Sequence, residues 1–422
     1  MKQVPREATS LPETKISMSM KTKVAILVSS FAVLLFVVVG SQGGVHASNN
    51  DGAYRQMQVY SEVLSRVQSE YVEDPNIPKV TDGALHGLVE SLDANSSYLT
   101  PEAYKALEAH KSDGKADIGA IISKRFGYAD VVSVIPGSPA DKAGIEATDI
   151  FESIEGQSTR DMSLPEIRDA LTGPVGSNVN VSVVRARKAE PQKMSITRDV
   201  ITIPPVSDKM LEDGIGYIKI DALTKGKAQE IASKVKSLEK SGAKKLVLDL
   251  RNTADGEEGE GVATANLFLN HGTIAYLQGQ KYPREAFNAD PAKCIATLPV
   301  AVLVNKGTAG AAEIVAAALL ENARADVVGD KTFGDGSVQK TISLPDGGAL
   351  ILSVAKYYSP SGKAIQDNSV TPNVLVADEA DNAISDDDEE TEPAAAEPEA
   401  KPKNAPDDQL QKAVEVLKSR SS

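Results

Sequence analysis

The sequence predicts an α/β protein of several domains, and three observations lead to this class. Residues 301–322 read as a buried strand, a glycine turn and a helix of small residues, the order typical of α/β layers. Residues 113–198 change to short apolar runs separated by Gly and Pro, which predicts a β-rich domain. With 422 residues, no Trp and only 4% aromatic residues, the chain has the length for two or three domains with aliphatic cores.

The first 47 residues have the layout of an export signal. Lys21 and Lys23 precede an apolar run over residues 24–40, and a V-x-A-like cleavage site, Val45-His46-Ala47, follows it. A basic flank, a hydrophobic core and a small-residue cleavage site define a secretory signal peptide, and an uncleaved run of this length is a short membrane anchor. We therefore expect an exported protein, periplasmic or extracellular, that touches a membrane only through this segment.

Residues 48–112 are predicted to be an N-terminal helical region. Apolar residues at helical spacing indicate a first helix over 52–72, and a second helix follows over about 80–92. Pro101 then stands at the first position of a third helix, where its missing N–H leaves no bond unmade. The expected role of this region is structural.

The β-rich segment 113–198 resembles a PDZ domain, chiefly through the element Ser138-Pro139-Ala140-Asp141-Lys142-Ala143-Gly144-Ile145. PDZ domains add a chain's C-terminus as a strand beside an open sheet edge and hold its carboxylate with loop N–H groups. The resemblance implies peptide-binding residues from that loop and from one helix: Ile118, Gly119, Ala120, Ile121, Leu164, Arg168 and Leu171. The last three share one face of a helix predicted over residues 164–171, by i, i+4, i+7 spacing.

The predicted peptide-binding loop carries an acid where PDZ domains usually have glycine. A carboxylate at Asp117 would weaken the attraction for a ligand's carboxylate unless its side chain points away. The alternative interpretation is a module that only packs on the body and regulates nothing, because a fold alone does not give a function.

Residues 199–376 are predicted to form an α/β core. A strand at 214–220, a helix at 225–240 and a buried strand at 243–250 lead into the loop 251–256. The strand at 301–304 leads into a helix over about 309–322, and the glycine-rich loop 329–336 follows. In such a layout a helix N-terminus offers backbone N–H groups to an anion at the carboxyl ends of the strands.

The longest motifs of this core resemble those of the C-terminal processing peptidases, also called tail-specific proteases. They are Val304-Asn305-Lys306-Gly307-Thr308-Ala309-Gly310-Ala311-Ala312-Glu313-Ile314, Gly329-Asp330-Lys331-Thr332-Phe333-Gly334-Asp335-Gly336-Ser337-Val338-Gln339 and Tyr358-Ser359-Pro360-Ser361-Gly362-Lys363-Ala364-Ile365. The resemblance covers residues 56–376. It implies a crotonase-like ββα peptidase core and, for the family, a serine peptidase that cleaves near protein C-termini.

The departures from the family pattern fall on the reacting groups. Gly310 stands at the position of the family's nucleophilic serine, and Asp335 at that of its lysine base. Asp255 stands at a glycine that supplies an oxyanion-hole N–H, and only the assisting glutamine, Gln339, is kept. Loss of the nucleophile alone costs a serine peptidase about 10⁶ in rate. The resemblance therefore implies a pseudopeptidase with no intact catalytic residue, which binds protein C-termini or regulates an envelope protease.

Other functions stay open. An active serine endopeptidase would need a rewired site, for which the chain offers Thr308, Ser337, Lys306 and Lys331. A purely structural envelope protein is a third possibility. A cation site of oxygen ligands, or simply a solvated acidic loop, is suggested by a group of acids: Asp255, Glu257, Glu258, Glu260 and Asp335. The single Cys294 and four scattered His match no metal-ligand spacing, so we expect neither a cofactor nor a thiolate or histidine metal site.

The net charge of −14 argues against a nucleic-acid partner. Part of that charge lies in residues 377–405, which are acidic, rich in Ala and Pro, and predicted to be a disordered linker. Residues 406–422 follow as a short amphipathic helix that docks on the body or pairs with a second copy. The expected partners are C-terminal segments of proteins or unfolded polypeptides and, through regulation, an active paralogous protease; the sequence leaves the oligomeric state open.

Overall fold

The computed structural model describes residues 20, 50–110, 116–125, 127–185, 190–377 and 407–419. Apart from Met20, the predicted signal segment lies outside the described residues, and so does the predicted acidic linker apart from Ala377. Within the described ranges, the structure contains no helix that is both long enough and apolar enough to cross a membrane.

The chain divides into two compact units. The first unit ends at Val80 and holds α1 (Asn50–Glu70) and the start of α2 (Ile77–Glu90). The second unit begins at Thr81 and holds the rest of α2, the β-rich domain, the α/β core and the C-terminal helix. The predicted helical region 48–112 therefore has residues in both units.

The remaining helices of the second unit, short 3₁₀ turns aside, are α3 (Pro101–His110), α4 (Pro139–Lys142), α5 (Leu164–Leu171), α6 (Lys227–Lys240), α7 (Glu258–Asn266), α8 (Ala311–Glu321) and α9 (Asp408–Ser419). Its strands are β1 (Ser97–Leu99), β2 (Ala120–Arg125), β3 (Tyr128–Val134), β4 (Ile150–Ile154), β5 (Gln157–Ser158), β6 (Asn178–Val184), β7 (Gln192–Thr197), β8 (Ser207–Met210), β9 (Ile215–Lys219), β10 (Lys245–Asp249), β11 (Thr273–Gln278), β12 (Glu285–Asn288), β13 (Val300–Val304), β14 (Ala325–Gly329), β15 (Ser337–Ser343), β16 (Ala349–Tyr358) and β17 (Val374–Leu375).

The β-rich domain is one antiparallel sheet with two helices. Its strands follow the order β2-β3-β4-β6-β7, so β2 is an edge strand. The helix α5 begins where predicted because Ser163 and Glu166 form a capping box, in which each side chain meets the other residue's backbone N–H. The domain has its own core, in which Phe151, Ile154 and Val181 are buried.

The α/β core is built on the sheet β17-β14-β13-β10-β9-β8, in which only the pair β8–β9 is antiparallel. Side chains alternate between its two faces because successive strand residues point in opposite directions. On one face, Leu248 and Val302 pack with α6, α7, α8 and the antiparallel sheet of β1, β16, β11, β12 and β15. The sheet thereby gains the cover that a parallel sheet requires.

The C-terminal helix α9 covers the opposite face of the core sheet. Ala413 and Leu417 are fully buried against residues such as Val247 and Leu303. Lys245 Nζ also donates to the carbonyl oxygen of Leu417 at 2.6 Å, which satisfies one of the acceptors that a helix leaves unpaired at its C-terminus. Of the two sequence alternatives for this helix, docking on the body is the one observed.

Candidate active site

Three loops meet at the carboxyl ends of neighbouring parallel strands. They follow β10, β13 and β14, and their backbones are joined by hydrogen bonds. Asn252 and Asn305 bind reciprocally: Asn252 N donates to Asn305 Oδ1, and Asn305 Nδ2 donates to Asn252 Oδ1, both at 2.9 Å. Ala309 N donates to Thr253 O at 3.0 Å, and Phe333 N donates to Thr308 O at 2.9 Å. The residues singled out from the sequence therefore lie on one connected edge.

Gly310 forms the sharp turn from the loop after β13 into helix α8. Its φ of 60° and ψ of −121° belong to a region that residues with a side chain rarely adopt. A Cβ placed on Gly310 would meet no atom within 4 Å. The backbone at this position therefore suits glycine and would be strained with any other residue, but the space beside it is open, as in a turn that exposes a nucleophile at the start of a helix.

Glu313 was not among the site residues predicted from the sequence, yet it joins two of them. Its carboxylate is fully buried and accepts N–H groups from Gly310 at 3.1 Å, Gly334 at 2.9 Å and Asp335 at 2.8 Å, together with the hydroxyl of Thr332. Burial raises the pKa of Glu313 to about 8, although the hydrogen bonds that its carboxylate accepts act to lower the pKa. The sequence signal is an acid in the first turn of a helix whose other residues, the terminal Glu321 aside, are apolar.

Asp335 points toward a cluster of polar side chains. Asn95 Nδ2 donates both to Asp335 Oδ1 and to Ser337 Oγ, each at 3.0 Å. Gln339 Nε2 also donates to Ser337 Oγ, at 2.8 Å. Burial raises the pKa of Asp335, while the Asn95 hydrogen bond and the charge of Arg168 lower it. Gln339 thus contacts the hydroxyl of Ser337. Asp335, at the position predicted for the base, is hydrogen-bonded to the side-chain amide of Asn95.

Asp255 lies in the loop after β10, half-buried, and burial raises the pKa of its carboxyl group. Its own carbonyl oxygen accepts the N–H of Leu223 at 2.8 Å, which anchors the loop to the core. The backbone of this loop is therefore anchored. Asp255 stands where the resemblance implies a glycine that supplies an N–H group to the oxyanion hole.

The alternative nucleophiles and bases are placed as follows. Thr308 is fully buried, and its hydroxyl donates to Leu250 O at 2.8 Å, so it has a structural bond and no open side. Lys306 lies 3.8 Å from Asp330, and Lys331 is exposed. Ser337 is buried within the Asn95 cluster. Of the two candidates that carry a hydroxyl, Thr308 and Ser337, Ser337 is thus the one that lies beside Asp335.

The acids considered for a cation site do not act as one group. Both oxygens of Glu260 accept backbone N–H groups at the start of α6, from Gly226 at 2.8 Å and Ala228 at 2.9 Å. Burial raises the pKa of Glu258, with a smaller effect from the charge of Asp335. Across the described ranges, no three Asp, Glu, His or Cys side chains are arranged to hold a metal ion.

The PDZ helix α5 faces the Asp335 cluster across a pocket of about 320 Å³. Leu164 and Arg168 line it on one side, and Asn95 and Gln339 line it on the other. Arg168 is exposed to solvent, and its positive charge lowers the pKa of Asp335. The predicted helix face needs a correction, because Leu171 packs with Ile167 inside the PDZ core, and Leu164 belongs to that core as well as to the pocket.

The predicted peptide-binding loop lies between Asp117 and the edge strand β2. Ile118 is fully buried in the PDZ core and Gly119 is buried, whereas Ala120 and Ile121 are half-buried at the start of β2. Gly119 is required here, since a Cβ at this position would come within 2.3 Å of Ser138. The loop is therefore packed on the start of α4.

The fold and site define a PDZ domain joined to an α/β core of the serine-peptidase type. A model of peptidase family S41 matches residues 214–376, and a PDZ model matches residues 131–185. The carboxy-terminal-processing protease of Bartonella bacilliformis is 31% identical over 359 residues, covering 84% of this chain and 82% of the relative. The carboxy-terminal processing protease of Bacillus subtilis is 33% identical over 347 residues, covering 81% and 73%. The chain belongs to the carboxyl-terminal processing proteases of family S41.

A solved structure agrees with this assignment. The photosystem II D1 C-terminal processing protease superposes with a TM-score of 0.63 at 26% identity, covering 76% of this chain and 92% of the other. The predicted family and α/β multidomain fold class are thus confirmed.

Proposed function

We propose that this protein is a catalytically silent member of its family that holds unstructured polypeptide against a peptidase scaffold, exported through its N-terminal segment. The observation that carries the proposal is the junction at Glu313. One carboxylate oxygen accepts the N–H groups of both Gly310 and Asp335, so the two positions that the resemblance assigns to nucleophile and base lie side by side. Neither carries a group suited to that role.

The chemistry supports the same conclusion. Acyl transfer requires a nucleophile, an adjacent base and donors aimed at a developing negative charge. Gly310 has no side chain, and the carboxyl of Asp335 is bound by Asn95. When ionised, Asp255 and Asp335 would bring negative charge toward an oxyanion. The scaffold keeps the turn and the helix N-terminus, which suit polypeptide binding without cleavage.

The partner is a C-terminal segment or an unfolded polypeptide, and regulation of an active paralogous protease would follow from competition for such chains. Export to the periplasm or the cell exterior is part of the proposal and rests on the basic flank and apolar run of residues 21–47.

The test is turnover of an unfolded casein by the purified full chain, with Ser337→Ala and Thr308→Ala variants measured in parallel. We expect no cleavage by the native chain above a reagent blank, together with measurable casein binding by fluorescence polarisation. Cleavage that Ser337→Ala abolishes would overturn the proposal in favour of a rewired serine endopeptidase. Absence of both cleavage and binding would favour a structural role.

A further inference from the structure

The carboxylate-binding loop of the PDZ domain is already occupied by a carboxylate of the same chain. Asp117 Oδ1 accepts the N–H of Gly119 at 2.7 Å, and the N–H of Ile118 also contacts this carboxylate. These are two of the loop N–H groups that would hold a ligand's terminal carboxylate. The side chain that the sequence left undecided therefore points into the loop.

Asp117 is held in this position by its backbone. Asp117 N donates to Asp199 O at 3.0 Å, and Asp199 N donates to Asp117 O at 3.1 Å, a two-bond bridge to the chain segment that leaves the PDZ domain. The loop beyond it is fixed as well, because Ile135 N donates to Gly119 O and Ala140 N donates to Ile118 O, at 2.9 and 2.8 Å. A ligand would meet a rigid loop whose donors are engaged.

The charges around Asp117 add to this effect. Burial raises the pKa of Asp117 and the nearby carboxylate of Asp255 raises it further, while its hydrogen bonds and the charge of Arg198 lower it. Arg198 is mostly committed elsewhere, since its guanidinium donates to Leu171 O, Ala170 O, Asn178 O and Ser177 Oγ. When Asp117 and Asp255 are ionised, an incoming carboxylate would approach two groups that carry its own negative charge.

The open edge of the PDZ sheet, strand β2, is also partly occupied by a side chain of the same protein. Arg168 Nη2 donates to the carbonyl oxygen of Ile122 on the edge strand β2, at 3.1 Å. A peptide added as a strand would have to replace this donor with its own N–H. Arg168 can move without unfolding the domain because solvent reaches it. The edge can therefore open, whereas the loop stays occupied.

We propose that the PDZ groove of this protein binds extended segments from the interior of an unfolded polypeptide without the usual preference for free C-termini, because Asp117 occupies the donors that a terminal carboxylate needs. An interior segment places a neutral peptide group at the loop, which neither requires those donors nor meets like-charge repulsion. This inference rests on the proposed function, since it names which unstructured polypeptides are held.

The test is fluorescence polarisation of the full chain with one labelled apolar peptide, made as the free acid and as the C-terminal amide. We expect the native chain to bind the two forms with Kd values within about twofold of each other. Asp117→Gly frees the donors and removes the charge, and should favour the acid over the amide by at least about tenfold, or about 1.4 kcal/mol. Asp117→Asn removes only the charge and should give an intermediate ratio.

The control is Asp161→Asn, which removes an exposed PDZ acid outside the loop and should leave the native ratio unchanged. A native chain that binds the acid tenfold tighter than the amide would overturn the inference while leaving the proposed function intact. An Asp117→Gly variant that folds, as judged by its unfolding midpoint, but shows no preference for the acid would also overturn it. Absence of binding by the native chain and by every variant would instead overturn the proposed function.

Discussion

Gly310 and Asp335 are linked through one oxygen atom: each donates its backbone N–H to Glu313 Oε2, at 3.1 and 2.8 Å. The link uses only backbone atoms of the two residues, so it holds their positions together whichever side chains they carry. The buried glutamate thus preserves the spacing of a reactive centre in a chain that lacks the reacting groups.

The turn at Gly310 should tolerate a side chain sterically but not conformationally. Gly310→Ala is expected to lower the free energy of unfolding by about 1–3 kcal/mol, because φ near 60° with ψ near −121° is unfavourable for any residue with a Cβ. The matched control is Gly259→Ala in helix α7, where a Cβ is equally unobstructed and Ala favours the helix by about 0.5–1 kcal/mol. Denaturant unfolding measures both, and equal midpoints for the two variants would contradict the assignment of strain.

Glu313 should make the stability of the protein depend on pH. Its pKa of about 8 in the folded state exceeds the ordinary value of 4.5, so the folded state keeps the proton that the unfolded chain releases. Stability from this group is fully present below about pH 4.5 and is lost as the pH rises through 8, on the order of 5 kcal/mol. Unfolding of Glu313→Gln at pH 5.5 and 8.5 should show a smaller loss than the native chain.

The control for this pH effect is Glu415→Gln on the exposed side of α9, which should keep the native dependence. A Glu313→Gln variant with an unchanged difference between the two pH values would show that Glu313 does not hold the proton.

Arg251 should contribute more to stability than its partner Asp407, which directly precedes helix α9. It binds Asp249, whose side chain is 1% exposed, and Asp407, whose side chain is 39% exposed. Arg251→Ala leaves a buried carboxylate without its main partner and should cost about 3–5 kcal/mol. Asp407→Asn removes a partly solvated contact and should cost about 1 kcal/mol or less. Denaturant unfolding that gave equal losses would show that the buried pair carries no special weight.

Lysine at position 335 should conflict with the PDZ domain. Asp335→Lys places a second positive charge near Arg168 and loses the acceptor for Asn95, so we expect a loss of about 1–2 kcal/mol in stability. Adding Arg168→Ala should recover part of this loss, whereas Arg168→Ala alone in the native background should not stabilise. A strictly additive double variant would show that the two positions do not interact.

The sequence predicted the elements of the fold well where local signals agree. Helix α5 has the predicted bounds because its capping box, its proline and its apolar spacing all lie within eight residues. Helix α8 was predicted two residues too early, since the non-helical, positive φ of Gly310 delays the first helical residue to Ala311. The strand, loop and helix that carry the site were readable for the same reason.

Contacts between distant parts of the chain could not be read in this way. Asn95 reaches Asp335 across 240 positions, and no local pattern marks that pair. Leu171 was assigned to the ligand side because helical spacing defines a shared face but not which side of the helix meets the core. The side-chain direction of Asp117 was likewise open until the loop geometry fixed it.

The most direct test of the central claim is restoration of peptidase activity. The variant Gly310→Ser, Asp335→Lys, Asp255→Gly, Arg168→Ala is compared with the same variant carrying Gly310→Ala, and both are compared with the native chain, on unfolded casein. We expect cleavage only where the hydroxyl at position 310 is present, and none by the native chain. Cleavage by the native chain at a rate equal to that of the serine variant would contradict this expectation.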